Sequence, residues 1–112
     1  GYIRVIDRLK DMIITGGENV YPAEVEKVLH QHPYVKESCV IGTPHPVWGE
    51  AVTAVIVLRN GEAVTPSDFI NYCKGKIAGY KVPKIIHFIP EMPRNAAGKI
   101  MKRELREQFS KN

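Results

Sequence analysis

Lys99 stands at the end of Pro93-Arg94-Asn95-Ala96-Ala97-Gly98, a run in which two alanines and a glycine lead into a single ammonium group. At the end of a mobile, side-chain-poor loop, such a cation can be carried into another molecule's pocket. The plainer alternative is a loop leading into a helix, with its lysine left in solvent. Phosphate-loop chemistry is excluded, because G-x-x-x-x-G-K-[ST] needs glycine and Ser/Thr where this chain has Pro93 and Ile100. Gly16-Gly17 either makes a simple turn or lets a ligand lie against bare backbone. Trp48, the only tryptophan, lies between two prolines and a glycine, and is either a lid over the core or a binding platform. Tyr80, between Gly79 and Lys81, either stacks on a base or covers a helix end. His30 and His32 face away from each other on a helix, and His45 has no Cys, Asp or second His at ligand spacing, so the expected metal set is none.

These residues need elements to position them. Two short β-prone runs around Gly16-Gly17 predict a hairpin. Pro22 fits the first turn of a helix whose apolar stripe is Val25, Val28, Leu29 and His32, ending before Pro33. Residues 35–42 and 51–58 predict strands, with an ordered loop over 43–50 between them. Thr65-Pro66-Ser67-Asp68 is a capping-box-like start for a helix that buries Phe69, Ile70, Cys73 and Ile77 and ends near Gly79. Residues 85–89 predict a short strand. Met101, Leu105 and Phe109 give the last helix a narrow apolar stripe. The expected fold class is α+β: a small open central sheet of about three strands, flanked by helices and preceded by a β-hairpin.

With 112 residues the chain is one domain by expectation, long enough to bury roughly two-thirds of its unfolded surface. A net charge of +4 permits nucleic acid but suits a small phosphate-bearing ligand equally. No apolar run approaches the ~20 residues of a membrane helix. Cys39 and Cys73 lie in apolar segments and read as reduced, buried thiols of a cytoplasmic protein. Residues 1–7 alternate like a half-buried strand and begin abruptly, as a piece of a longer chain would.

Residues 8–26, from Arg8-Leu9-Lys10-Asp11 through Gly16-Gly17-Glu18-Asn19-Val20-Tyr21-Pro22 to Glu26, resemble the hinge-and-loop motif of the adenylate-forming superfamily. Residues 93–99 with Ile100 and Arg103 resemble that superfamily's final motif, and Val47-Trp48-Gly49-Glu50 and Tyr80-Lys81-Val82-Pro83-Lys84 match intermediate markers. The closest resemblance is to the C-terminal domain of AMP-forming acyl-CoA synthetases. It implies that residues 10–112 are the mobile C-terminal domain, that residues 1–9 are a remnant of the linker or last strand of a missing N-terminal domain, and that the fragment is inactive alone. It implies ATP and CoA as substrates, with Mg bound mainly by the missing domain, and a small-molecule carboxylate to be activated. Lys99 would be the catalytic lysine of adenylation, Lys10 the hinge and Arg8 a nucleotide contact. Gly16 and Gly17 would line the pantetheine tunnel, and Trp48, Tyr80, Lys81 and Lys84 would contact CoA. Val82 departs from the pattern, standing where some relatives have an arginine for CoA. The alternatives are a small basic nucleic-acid-binding module and a protein-interaction module, the latter partly compatible with the first reading through self-association of residues 2–7.

Overall fold

The computed structural model describes residues 12–59 and 64–110. Ile13–Thr15 (β1) and Glu18–Val20 (β2) pair antiparallel around Gly16 and Gly17, whose φ values are 57° and 83°. Two successive positive φ values are what a type I′ turn demands, and glycine supplies them without steric cost. Pro22–His30 (α1) follows, with proline in its first turn and Val25, Val28 and Leu29 buried.

Val35–His45 (β3) and Gly49–Leu58 (β4) form a long antiparallel pair running from Val35↔Leu58 to His45↔Gly49. The loop expected over 43–50 therefore shrinks to a three-residue turn. Gly49, at φ 81°, takes the left-handed position that lets so short a connection close. Pro44 is accommodated inside a strand because β3 lies at the sheet edge. Ile85–Phe88 (β5) runs parallel to β4, from Thr53↔Ile85 to Ile56↔Phe88. The leading hairpin joins the same sheet through Thr15↔Gly49, giving five strands, of which only β5 is parallel to its neighbour. The α+β class is as expected.

Side-chain alternation along β4 divides the interior in two. Val52, Ala54 and Ile56 pack with α1 and with Phe69 and Cys73 of Pro66–Cys73 (α2). Val55 and Val57 point the other way, toward Met92 and toward Leu105 of Lys102–Phe109 (α3). The capping box of α2 is present: Asp68 N–H donates to Thr65 Oγ1, and Thr65 N–H donates to Asp68 Oδ2. The backbone hydrogen bond at Thr65 is also the main reason the Asp68 pKa is lowered. This helix ends at Cys73, not near Gly79, because Lys74 turns extended and Gly75 adopts φ 84°. Ile77 still packs on the core, from beyond the helix.

Two carboxylates accept backbone N–H groups of the sheet. Val40 N–H, on the open edge of β3, donates to Glu26 Oε2 of α1 at 2.9 Å, and Lys102 of α3 lies 3.2 Å from the same oxygen. Ile14 N–H of β1 donates to Glu50 Oε1 of β4 at 2.9 Å.

His87 of β5 stacks on Phe109 of α3, centroids 4.0 Å apart and planes 13° apart. Burial holds its pKa below the ordinary 6.5. The folded chain thus takes up this proton less readily than the unfolded chain, so the contribution is complete above 6.5 and is lost as pH falls through the folded pKa. The urea midpoint is expected to drop between about pH 8 and pH 5, and His87→Gln should flatten part of that drop. An identical drop in the variant would remove His87 as a cause.

Candidate functional site

Three turns meet at one end of the sheet and enclose a cleft of about 270 Å³. The first hairpin contributes Thr15, Gly16 and Glu18, the β3–β4 turn contributes Trp48, and the segment between α2 and β5 contributes Gly79, Tyr80 and Lys84. Gly16 N–H donates to the Trp48 carbonyl at 2.9 Å, which ties the first two turns together. Lys84 N–H donates to the Val52 carbonyl at 2.9 Å and anchors the third segment to β4.

Trp48 is 38% exposed and does not cap the core. His45 stacks against it, centroids 4.1 Å apart and planes 10° apart, and His45 Nδ1 accepts from Val47 N–H at 3.1 Å and Trp48 N–H at 3.2 Å. A histidine that accepts at Nδ1 carries its proton on Nε2. The Lys84 ammonium lies 5.9 Å from the indole centroid, within cation–π reach. The cleft thus combines bare backbone, an indole, a phenol, a carboxylate and an ammonium, a set suited to a long ligand with apolar and anionic parts.

Four of the six residues expected at a CoA site, Gly16, Trp48, Tyr80 and Lys84, are brought together here. The other two are not. Gly17 lies outside the cleft lining, and a Cβ added to it would meet nothing within 4 Å. Lys81 donates to both carboxylate oxygens of Glu24 at 3.0 Å, and that hydrogen bond raises its pKa. Its ammonium fastens the Tyr80 segment to α1. Val82 is buried in the core, so its side chain offers nothing to a ligand.

Lys99 belongs to a different structure. Arg94 bridges to Ile100, and Asn95 N–H donates to the Lys99 carbonyl at 3.0 Å. Asn95 Oδ1 accepts from Ala97 N–H at 2.9 Å and Lys99 N–H at 3.1 Å, while Gly98, at φ 82°, closes the turn. The segment expected to be a mobile loop is a small, internally bonded hairpin. Met92 and Ile100, on either side of it, pack on the α3 face of the sheet. Lys99 is exposed, and among the described residues its ammonium has no carboxylate partner. Arg8 and Lys10 lie outside the described residues, as does the strand expected over residues 1–7.

Sequence reasoning assigned Glu18 and Glu24 no part in the site and weighed His45 only as a metal ligand. The usable signal was strongest for His45, a short polar acceptor two and three residues before the N–H groups it binds, in a turn where side-chain-to-backbone bonds are common. Glu24 pairs with a residue 57 positions away and left no local sign.

Residues 24–99 match the family model of the AMP-binding enzyme C-terminal domain. The chain belongs to this family. As an AMP-binding enzyme C-terminal domain it is 48% identical over 109 residues to a feruloyl-CoA synthase of an Amycolatopsis species, covering 97% of this chain and 22% of that protein. It is 50% identical over 110 residues to a long-chain-fatty-acid–CoA ligase of Mycobacterium tuberculosis, covering 98% of this chain and 22% of that protein. Among solved structures, a Mycobacterium tuberculosis fatty acyl CoA synthetase superposes with a TM-score of 0.86 at 50% identity, over 92% of this chain and 20% of that one. Apo MatB from Rhodopseudomonas palustris superposes with a TM-score of 0.87 at 44% identity, over 90% and 20%. The chain thus spans about a fifth of the length of the curated relatives it matches. Among the described residues, no helix of the domain is long and apolar enough to cross a membrane.

Proposed function

We propose that this chain is the mobile C-terminal domain of an AMP-forming acyl-CoA synthetase, working in the cytoplasm, and that it serves two half-reactions with two separate parts of its surface. In the first, a carboxylate attacks the α-phosphate of ATP to give an acyl-adenylate and pyrophosphate. Lys99 places its ammonium where negative charge converges, a role suited to a compact cation with no competing partner among the described residues. In the second, the CoA thiol displaces AMP, with pantetheine passing Gly16, the indole and phenol flanking it, and the Lys84 ammonium meeting a phosphate. The observation that carries this reading is the meeting of Gly16, Trp48, Tyr80 and Lys84 in one cleft, while Lys99 stands on a separate hairpin packed on the α3 face.

The large N-terminal domain supplies the carboxylate pocket, the adenine site and the bound Mg. Among the described residues no group of three or more His, Cys, Asp or Glu is placed to hold a metal ion. Arg8 as a nucleotide contact and Lys10 as the pivot belong to the same proposal. The fragment alone is expected to be inactive. Lys81 is reassigned from ligand contact to support for Tyr80, since Glu24 already occupies its ammonium. The nucleic-acid reading draws no support from relatives that are CoA ligases and synthetases.

Gly16→Asn tests the cleft. Asparagine tolerates the positive φ of 57°, so the turn survives, but its side chain starts 3.8 Å from Trp48 Cδ1 and fills the passage. In the full-length enzyme, thioester formation from supplied acyl-adenylate is expected to fall at least about tenfold, the scale of a misplaced reactant. ATP–pyrophosphate exchange should be unchanged. Equal loss of the two would overturn the assignment of the cleft to the second half-reaction.

A further inference from the structure

Besides the packing of Met92 and Ile100, one polar side chain ties the hairpin that carries Lys99 to the sheet. Arg94 Nη1 donates to the Gly98 carbonyl at 2.7 Å, and Nη2 is paired with the carboxylate of Glu37 on β3. A guanidinium offers several donors in a fixed plane, so it can serve a carbonyl and a carboxylate at once without bending either. The carbonyl it holds is that of the residue immediately before Lys99.

Glu37 reaches this hairpin because of an irregularity in β3. Val35 stands opposite Leu58 and Glu37 opposite Val57, so two steps along β3 match one along β4, and Lys36 is the extra residue. Strict alternation would place Val35, Glu37, Cys39 and Ile41 on one side of the sheet. Instead Val35 packs with α1 and α2, whereas Cys39 and Ile41 pack with Met92 and α3. The bulge reverses the side-chain parity between Val35 and Glu37. It thereby delivers Glu37 to the face on which the Lys99 hairpin sits. Bulges are over-represented beside active sites, where they re-aim a side chain.

We propose that Glu37 and Arg94 form a clamp, aimed by the β-bulge at Lys36, that positions Lys99 for adenylation without either residue touching the substrate. The inference rests on the role given to Lys99 above. It adds two positioning residues and accounts for the bulge as the feature that brings them together.

In the full-length enzyme, Arg94→Ala and Glu37→Ala are each expected to lower the turnover of adenylation by about 10- to 100-fold, the scale on which an ångström of misplacement acts. The KM for ATP should be unchanged, since the lost contribution belongs to the transition state and not to binding. Thioester formation from supplied acyl-adenylate should match the wild type. The double variant should lose no more than Arg94→Ala alone, because the two act as one unit. Glu37→Gln, which keeps an acceptor of the same shape, should recover most of the turnover. The clamp is refuted if Glu37→Ala adenylates normally, or if both half-reactions and the melting temperature fall together, the mark of a merely structural pair. Lys99→Ala, run alongside, separates the two levels. Normal adenylation there refutes the underlying reading and the clamp with it, whereas lost adenylation there with normal rates in both clamp variants refutes the clamp alone.

Discussion

Lys99→Ala in the full-length enzyme is expected to lower acyl-adenylate formation by about 100- to 1,000-fold, the usual effect of deleting one preorganised charge stabiliser from a transition state. Conversion of supplied acyl-adenylate to the thioester should be nearly unaffected. The asymmetry follows from placement. Lys99 is exposed at the end of a hairpin that packs against the α3 face, and it contributes nothing to the cleft formed by Gly16, Trp48, Tyr80 and Lys84. Removing its side chain breaks no ion pair among the described residues, so the variant should fold and melt like the wild type. Lys99→Arg should recover little, because a planar guanidinium is bulkier than the ammonium and directs its donors differently. Measuring ATP–pyrophosphate exchange and thioester formation separately decides the matter: comparable loss in both, or in neither, is incompatible with the assigned role.

The second large effect is expected at Gly42→Ala. Gly42 lies in β3 beneath the side chain of Glu50, and a Cβ there would stand 2.4 Å from Glu50 Oε2, 2.9 Å from its Cδ and 3.2 Å from Ile13 Cγ2. The carboxylate would have to leave, and with it the acceptor for Ile14 N–H. The clashing atoms are the far end of a flexible side chain that can swing aside, so the expected cost is mainly the lost bond and the Ile13 contact, about 0.5–1.5 kcal/mol. For a domain of this size, each kcal/mol lowers the melting temperature by roughly 4–8 °C. The damage should be concentrated in the first hairpin, whose one ladder pair with β4 among the described residues is Thr15↔Gly49, so amide exchange at Ile13 and Val20 should rise before that of β4. A cycle with Glu50→Ala isolates the cause. If the clash with Glu50 is responsible, the double variant is no less stable than Glu50→Ala alone. A Gly42→Ala protein with unchanged melting temperature would contradict the argument.

Much of this architecture is legible in the chain because the signals are local. The Gly-Gly hairpin, the proline-led first helix and the Thr65–Asp68 box depend on residues a few positions apart, and each is present. The misreadings share a cause as well. A proline pair and a tryptophan suggested an eight-residue loop, yet the long pairing of β3 with β4 extends both strands and leaves only the turn. Gly79 looked like a helix end, but Gly75 takes the left-handed conformation first. Resemblance brought forward four residues that the structure places in one cleft, and the proposed role of Lys99 on its separate hairpin, whereas the supporting partners were hidden. Glu24, Glu37 and Glu50 meet their partners across 57, 57 and 36 positions, distances over which periodicity carries no information. The bulge at Lys36 was equally invisible, since an extra residue in one strand is defined only by the register of the other.

The carboxylate of Glu26 on the outer edge of β3 has a consequence for a domain that swings. An uncovered strand edge invites another chain to add its own backbone, and a domain that releases its neighbour in every cycle would show that edge repeatedly. Here Val40 N–H is already engaged by Glu26, Pro44 has no N–H to offer, and Lys102 holds the carboxylate in place from the far helix. Two positions of that edge are thus withdrawn from pairing from within the domain. If the domain swings as proposed, an added strand finds these two positions already blocked whenever the partner is released.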